Sequence, residues 1–252
     1  MIKKQVLIFG ASSGLGKELS KVFLKEGCQV IGLASTKKKS KKILAEINSK
    51  FFTCNYGDLK KKSDLQKIKK IIKKNKKLDL IIFSSSVLTV SKFSNNPDNN
   101  FENDLNINAL SFIYIFKYFM KLKKNNNINL IVILSNLAIM GIKNLSSYSI
   151  SKAILQSFTE SIRGELTNSN VMAVYPGAME TNFDKNAKIQ DKSLNYKLKR
   201  KKQSPKIVAK KIYSSYLKNK KFVYISFSTK MILFLKSLSA NLLIKLINII
   251  YK

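Results

Sequence analysis

The chain of 252 residues contains no histidine. This absence removes the commonest general base, every serine–histidine triad and every metal site built on imidazole ligands, so we expect no metal centre. Cysteine is nearly as scarce: Cys28 and Cys54 are the only two, and they form no CxxC pair. They are typical of small buried apolar residues in a reducing compartment. Since the amino terminus shows no secretory signal, we expect a cytoplasmic protein.

Acidic residues and arginine are also few. Asp and Glu number 14 against 47 Lys and Arg, which gives a formal net charge of +33, and Arg163 and Arg200 are the only arginines. The lysine runs at 37–42 and 197–202 lack the interleaving of arginines and stacking aromatics that is typical of nucleic-acid binders. We therefore expect no specific nucleic-acid partner. The charge is better suited to an anionic membrane surface.

Short apolar runs alternate with longer lysine-rich amphipathic runs. The apolar runs predict seven strands, at residues 5–9, 29–33, 51–54, 80–84, 129–134, 171–175 and 222–226. The amphipathic runs predict six helices, at residues 14–26, 38–48, 61–75, 101–123, 147–167 and 205–218. Because the strands are apolar throughout and alternate with helices, we expect an α/β fold, a Rossmann-like, doubly wound parallel sheet in one domain. The polar, basic stretch 185–203 is a candidate mobile loop over a site.

A glycine-rich stretch, GASSGLG at residues 10–16, follows the first predicted strand and begins the first predicted helix. Glycines permit a sharp turn and a close approach of a pyrophosphate, and the free amides of the helix point at the phosphates. The spacing Gly10-x-x-x-Gly14-x-Gly16 is wider at its front than the plain GxGxxG pattern. It favours a dinucleotide site, the alternative being a tight turn that holds no ligand.

Further motifs follow in a fixed order. YSISK (148–152) places Tyr148 and Lys152 one helical turn apart, on the same face. Ser135 lies thirteen residues before Tyr148, Asn108 lies in NINALS, and YPGAMET occupies 175–181. Together with the glycine loop, these motifs resemble the short-chain dehydrogenase/reductase family in its standard-length branch, with its TGxxxGxG, YxxxK and PGxxxT elements. The resemblance covers residues 1 to about 185.

The resemblance implies an NAD(P)-dependent oxidoreductase that reduces a carbonyl or oxidises a secondary alcohol, with Tyr148, Lys152, Ser135 and Asn108 as the catalytic tetrad. A lysine ammonium favours a nearby phenolate, so we expect Lys152 to lower the pKa of Tyr148, which then exchanges a proton with the substrate oxygen. By resemblance, Lys152 also binds the nicotinamide ribose. Ser135 holds the substrate oxygen, and Asn108 anchors a water in a proton relay.

The same resemblance assigns cofactor contacts to the glycine loop and to the ends of the strands. These residues are Gly10, Ser12, Ser13, Gly14, Leu15, Gly16, Ser35, Lys37, Asp58, Leu59, Ser84, Tyr148, Lys152, Pro176, Gly177 and Thr181. For the Asp58 contact, Asn55 is the rival. NAD-preferring relatives carry an acid where Ala34 stands, whereas the Ser35 hydroxyl and the Lys37 ammonium suit a 2′-phosphate. We therefore expect NADP(H) in preference to NAD(H), the alternative being that the lysine run is only an exposed helix start.

One element departs from the family pattern. The NNAG that follows the fourth strand in the family is Phe83-Ser84-Ser85-Ser86 here, so the glycine is replaced by Ser86. Ser84 can keep a hydrogen bond to the adenosine half of the cofactor. Together with the tail, this replacement motivates an alternative function, that of a catalytically weak or inactive nucleotide-binding scaffold at a membrane surface.

The last residues, 229–252, are unusually apolar and form a tail that follows a catalytic domain at 1–228. A single spanning helix would bury Lys236 and Lys245 at roughly 2.5 to 3.5 kcal/mol each, so we expect two short helices with a break near 237–239. The wide apolar face fits a membrane surface, its own domain or a second subunit. We expect a homo-oligomer, peripheral contact with the inner face of the membrane and a small hydrophobic substrate in a pocket lined by 139–145 and 178–204.

Overall fold

A computed structural model of the chain describes residues 4–75, 77–122, 127–190 and 202–239. Seven parallel strands form the main sheet, in the spatial order β3-β2-β1-β4-β6-β7-β9. These strands are β1 (Gln5–Phe9), β2 (Gln29–Ala34), β3 (Phe52–Tyr56), β4 (Leu78–Phe83), β6 (Asn129–Ile133), β7 (Val171–Tyr175) and β9 (Phe222–Tyr224). The predicted doubly wound parallel sheet is confirmed.

Helices cover both faces of the sheet. They are α1 (Gly14–Lys25), α2 (Lys37–Ile47), α3 (Lys62–Lys74), α4 (Asp98–Leu105), α5 (Ser111–Leu122), α6 (Ser146–Glu165), α7 (Pro205–Leu217) and α8 (Phe227–Leu238). Alternate residues of each strand point to opposite faces of the sheet. Val6 and Ile8 pack with α1 and α7, whereas Leu7 and Phe9 pack with α3 and α5. This two-sided burial explains why the strands are apolar at successive positions.

Phenylalanine rings fill the core beside the glycine-rich loop. Phe83 at the end of β4 stacks on Phe112 of α5 with ring centroids 4.2 Å apart, and Phe9 at the end of β1 meets both rings edge-on. All three side chains are fully or almost fully buried. This contact fixes the ends of β1 and β4 relative to α5, and therefore the position of the loops that follow both strands.

A second, two-stranded parallel sheet joins β5 (Thr89–Val90) to β8 (Lys188–Ile189). The sequence did not predict it, because two residues are too few to show a hydrophobic period. It ties the segment after β7 to the segment after β4, within the stretch 185–203 expected to be a mobile loop. Residues 191–201 of that stretch lie outside the described residues.

The segment predicted as one helix at 101–123 consists of three parts. α4 and α5 are joined by a π-helical turn, Asn106–Leu110, which contains Asn108. Hydrophobic periodicity does not reveal this turn, because its five residues are too few to show a change of period. The turn directs the Asn108 side chain into the interior, where it is fully buried.

The first part of the tail packs on the main body. Thr229 Oγ1 donates a hydrogen bond to Asn136 Oδ1 at 2.6 Å, and Lys236 Nζ donates to the Ile139 carbonyl oxygen at 2.6 Å. α8 begins at Phe227 and ends at Leu238, inside the predicted break, and the second predicted helix lies outside the described residues. Across the described ranges, every helix is too short or too polar to span a bilayer.

Candidate active site

A cavity of about 300 Å³ opens at the carboxyl ends of β1, β4, β6 and β7. It lies at the edge of the sheet next to β1, which has β2 on one side and β4 on the other. This is the position at which open α/β sheets bind ligands. Eleven of the predicted site residues line it: Gly10, Ser13, Gly14, Leu15, Ser84, Ser135, Tyr148, Lys152, Pro176, Gly177 and Thr181. The remaining predicted residues lie elsewhere: Ser12, Gly16, Ser35, Lys37, Asp58, Leu59 and Asn108.

The glycine loop has no room for larger side chains at two positions. A Cβ on Gly10, whose φ is +79°, would lie 2.9 Å from the Ser85 backbone nitrogen. A Cβ on Gly16 would overlap the Gly10 carbonyl oxygen. Both glycines therefore allow the turn to fold back on itself between β1 and α1.

The amino terminus of α1 faces the cavity. Ser13 occupies the cap position, and among the contacts of the described residues its side chain makes no capping hydrogen bond to the helix. Ser13, Gly14 and Leu15 all line the cavity, so the backbone amides of the first turn are available to a ligand there. The free amides, the helix dipole and the absence of bulky side chains fit a pyrophosphate group.

The residues predicted to select the 2′-phosphate lie at the carboxyl edge of β2. Thr36 caps α2 by accepting from the Lys39 backbone nitrogen at 3.3 Å, and Lys39 Nζ donates to Ser35 Oγ at 3.2 Å. Ser35, Lys37 and Lys39 are all exposed. The lysine that contacts Ser35 is therefore Lys39, because a capped helix start brings the third helical residue back over the cap.

Asp58 and Leu59 are held by contacts within the fold. Asp58 accepts from the Lys60 backbone nitrogen through Oδ1 at 3.0 Å and donates its own backbone N–H to Asp64 Oδ2 at 2.9 Å. Leu59 is buried, and its carbonyl oxygen accepts from Ser111 Oγ at 2.6 Å. These bonds shape the turn between β3 and α3, beside the adenine side of the crevice that the resemblance implies.

Tyr148 and Lys152 lie one turn apart on α6, and both are buried. Lys152 is 2% exposed, and its Nζ lies 5.6 Å from the centroid of the Tyr148 ring. Nζ donates a hydrogen bond of 3.0 Å to the carbonyl oxygen of Ile133, the last residue of β6. This bond anchors the lysine head against the end of the strand, next to the cavity.

Burial controls the acidity of both groups. Desolvation raises the pKa of Tyr148 to about 12, and a nearby Asp184 carboxylate adds to the rise, while the Ser135 and Ser86 hydroxyls oppose it. Desolvation also lowers the pKa of Lys152 to about 7. The pKa of Tyr148 therefore lies above its ordinary value, where the sequence predicted that it would lie below, because burial disfavours the charged form of the phenol.

Ser135 and Asn108 occupy different places relative to Tyr148. Ser135 follows β6, accepts from the Leu137 backbone nitrogen at 3.2 Å and presents its hydroxyl to that of Tyr148. Asn108 lies behind the cavity wall, where its side chain hydrogen-bonds Val87 and Ser151. The predicted role of Asn108 as anchor for a water remains a prediction.

Part of the cavity wall was not among the predicted site residues. Ser85, Ser86, Val87 and Leu88, which follow β4, and Asn136, which follows Ser135, all line the cavity. Their position in the sequence could have identified them, because residues directly after the carboxyl ends of parallel strands meet at one edge of the sheet.

The opposite wall comes from the expected range 178–204. Asp184 lines the cavity and accepts a 2.7 Å ion pair from Lys202. Met179 forms a parallel bridge with Gln203. These contacts and β8 hold the segment after β7 over the cavity.

Comparison with known proteins identifies relatives of this architecture. Residues 4–192 match the family model described as short chain dehydrogenase. The chain is 29% identical over 199 residues to a dehydrogenase/reductase SDR family protein 7-like of Dictyostelium discoideum, covering 75% of this chain and 63% of that relative. It is 29% identical over 187 residues to the 3-oxoacyl-[acyl-carrier-protein] reductase FabG of Buchnera aphidicola, covering 72% of this chain and 75% of the relative.

Solved structures share the fold. A short-chain dehydrogenase from Streptomyces avermitilis superposes with a TM-score of 0.83 at 18% identity, covering 96% of each chain. A short-chain dehydrogenase from Burkholderia cenocepacia in complex with NADP superposes with a TM-score of 0.79 at 18% identity, covering 96% of this chain and 98% of that one.

The burial of Lys152 predicts a pH-dependent stability. Its pKa in the fold, about 7, lies below its ordinary value of 10.5, so between these pH values the unfolded chain binds a proton that the fold does not. Lys152 therefore destabilises the fold increasingly as the pH falls from about 10.5 to 7. The free energy of unfolding of Lys152→Met minus that of the parent should rise by about 1 kcal/mol per pH unit as the pH is lowered from 10 to 7.

Denaturant titrations at several pH values measure this difference. Lys206→Met, which removes an exposed lysine, is the control for the loss of one positive charge. A difference for Lys152→Met that stays flat across this pH range would contradict the account of its burial.

Proposed function

Because the match over residues 4–192 places this chain in the short-chain dehydrogenase/reductase family, and so among the oxidoreductases, we propose that it transfers hydride between a nicotinamide dinucleotide and a carbonyl or secondary alcohol. One observation carries this proposal. The Tyr148 and Ser135 hydroxyls meet at a cavity whose other end is formed by the uncapped start of α1. A proton donor and a cradle for a diphosphate thus share one space of suitable size.

Four groups of this chain carry the proposed chemistry. A bound nicotinamide dinucleotide supplies or accepts the hydride at the carbon of the carbonyl or alcohol. Tyr148 donates its phenolic proton to the carbonyl oxygen in reduction and takes it back in oxidation, while the Ser135 hydroxyl hydrogen-bonds the same oxygen. Lys152 would hold the ribose hydroxyls, and in its protonated form it favours the phenolate. Its pKa of about 7 lets it exchange protons near neutral pH.

NADP(H) is the cofactor that the edge of β2 favours. Ser35 and Lys39 are joined by a 3.2 Å hydrogen bond at this edge, where a hydroxyl and an ammonium suit a phosphate dianion. A carboxylate that would repel such a group is absent from the described residues 34–39. The short-chain dehydrogenases from Burkholderia cenocepacia and from Sphingobium yanoikuyae were solved with NADP and NADPH respectively, which supports this assignment.

The substrate we propose is a hydrophobic carbonyl compound. The cavity wall facing Tyr148 includes Leu88, Ile142, Leu145 and Phe183, and the Phe183 ring centroid lies 5.8 Å from that of Tyr148. An apolar wall of this kind binds alkyl or aryl groups next to the reacting oxygen. The relatives include one named 3-oxoacyl-[acyl-carrier-protein] reductase and one named benzil reductase, so a 3-oxoacyl thioester and an aromatic diketone are suitable first substrates.

Turnover tests the proposal directly. NADPH oxidation is followed by absorbance with a 3-oxoacyl thioester, an aromatic diketone and a cyclic ketone. Tyr148→Phe removes the proton donor but leaves the ring, so kcat should fall by about 10² to 10⁴ on any accepted substrate. Tyr114→Phe is the matched control, since Tyr114 is 61% exposed on α5, and its kcat should stay at the parent value. Tight NADPH binding without turnover on any substrate would contradict the proposal and favour a nucleotide-binding scaffold.

The cofactor preference has its own test. Lys39→Glu places a carboxylate beside Ser35, so the affinity for NADPH should fall at least about tenfold, while that for NADH stays nearly constant. The matched control is Lys42→Glu, which makes the same charge change on an exposed position of α2. Dissociation constants from cofactor fluorescence measure both effects. Equal losses for NADPH and NADH, or equal effects of the two variants, would contradict a 2′-phosphate contact at this edge.

A second property, docking on an anionic membrane surface, is favoured by one face of α8. Phe227, Met231, Phe234 and Leu238 recur at helical spacing and are exposed, Phe227 to 76% and Leu238 to 63%. The opposite face packs on the domain through Ile232 and Leu235. The formal net charge of +33 complements anionic headgroups, which is why we choose a lipid surface as the partner of this stripe.

Vesicle sedimentation tests this docking. The parent should bind vesicles containing phosphatidylglycerol and not vesicles of pure phosphatidylcholine. The double variant Phe227→Ser, Phe234→Ser should bind at least about tenfold more weakly, because each phenylalanine contributes roughly 1.5 to 3 kcal/mol when buried. Phe93→Ser, at a phenylalanine exposed to 71% elsewhere, is the control. Unchanged binding of the double variant would contradict a lipid partner. A parent that is a dimer in light scattering, with a double variant that is a monomer, would contradict it as well.

A further inference from the structure

Ser86 stands where the resembling family carries a glycine, and its side chain enters the candidate site. It follows β4, lines the cavity and donates a hydrogen bond of 3.2 Å from Oγ to Asn108 Oδ1. Ser86 and Tyr148 line the same cavity, and a hydrogen bond from the Ser86 hydroxyl opposes the rise of the Tyr148 pKa, as one from Ser135 does. A glycine at this position would leave Tyr148 with one fewer hydroxyl neighbour.

The orientation of Asn108 determines the orientation of the Ser86 hydroxyl. Asn108 Oδ1 accepts from the Val87 backbone nitrogen at 2.7 Å, and Asn108 Nδ2 donates to the Val87 carbonyl oxygen at 3.0 Å and to Ser151 Oγ at 3.1 Å. The backbone N–H is only a donor, so the amide oxygen of Asn108 must face Val87 N and Ser86. The single hydrogen of the Ser86 hydroxyl is therefore donated to Asn108 Oδ1, and the lone pairs of its oxygen can accept from the Tyr148 hydroxyl.

We propose that Ser86 is a further hydrogen-bonding residue of the reaction, one that accepts from the Tyr148 hydroxyl at rest and donates to the Tyr148 oxygen once the proton has left. This inference rests on the proposed function of Tyr148 as proton donor. In reduction the Tyr148 O–H bond breaks, the proton bonds to the substrate oxygen, and the negative charge stays on the phenolate. The Ser86 O–H then rotates from Asn108 Oδ1 to that phenolate.

This rotation leaves no buried acceptor without a donor. Asn108 Oδ1 keeps the shorter of its two hydrogen bonds, the one from Val87 N at 2.7 Å. The phenolate gains Ser86 as a second donor beside Ser135. Because burial raises the pKa of Tyr148 to about 12, each donor that favours the charged oxygen makes proton release easier. Ser86 thus compensates for part of the desolvation of Tyr148.

The test measures the Tyr148 phenol itself, without turnover. The full chain is prepared with 2,3,5-trifluorotyrosine at position 148, a more acidic phenol that ionises while the protein is folded, and is titrated by fluorine NMR. Ser86→Ala should raise the pKa of this phenol by about 1, the effect of one hydrogen bond to a charged group. Ser86→Thr, which keeps the hydroxyl, should restore the parent value. Ser86→Gly, which carries the family residue, should repeat the effect of alanine even if alanine disturbs the loop.

Two neighbouring serines supply the controls. Ser85→Ala changes the adjacent residue of the same cavity wall and should leave the titration at the parent value, whereas Ser135→Ala should raise the pKa as Ser86→Ala does. A titration unchanged by Ser86→Ala but shifted by Ser135→Ala would overturn the inference. The result stands apart from the proposed function, because loss of turnover in Tyr148→Phe and a shift of the fluorophenol titration are separate measurements.

Discussion

The candidate site depends on the burial of a lysine and a tyrosine on one turn of α6 against the end of β6. Lys152 reaches the Ile133 carbonyl with a 3.0 Å hydrogen bond, and both side chains are almost completely shielded from water. Burial raises the pKa of Tyr148 and lowers that of Lys152, so Tyr148 stays protonated while Lys152 can lose its proton near neutral pH. A fold would gain stability from apolar residues at these positions, so their presence indicates a site whose chemistry needs them.

The parallel sheet brings the necessary groups to one edge. Because every strand of the main sheet runs the same way, the residues that follow β1, β4, β6 and β7 meet although they are far apart in sequence. The phenylalanine contact between β1, β4 and α5 holds the glycine loop against the segment that contains Ser86. The π-helical turn between α4 and α5 directs Asn108 behind the same segment, where it clamps Val87 from both sides. Packing thus sets the distances on which the proposed chemistry depends.

Much of this architecture could be read from the sequence. The seven strands and the order of the motifs were predictable because burial on both faces and glycine requirements leave strong local signals. The two-residue sheet and the π turn were not, because each involves too few residues to produce a period. Nor did the sequence predict the contact of Lys39, rather than Lys37, with Ser35, which depends on the helix cap at Thr36. The sequence also did not predict that the pKa of Tyr148 is raised, because proximity in sequence shows the nearby lysine but not the depth of burial.

The hydroxyl of Ser86 illustrates the same limit. The sequence showed the serine in place of a glycine as a departure from the family pattern that motivates a weak or inactive scaffold. The folded chain instead places this side chain on the wall of the Tyr148 cavity, with a hydrogen bond to Asn108. The measurement that tests the whole account most directly is a crystal structure of the chain with bound NADPH. The account predicts the pyrophosphate at the amides of Ser13 and Gly14, the ribose at Lys152, and the nicotinamide ring beside the Tyr148 hydroxyl. A nucleotide bound at another surface, or a Tyr148 hydroxyl turned away from the ring, would contradict it.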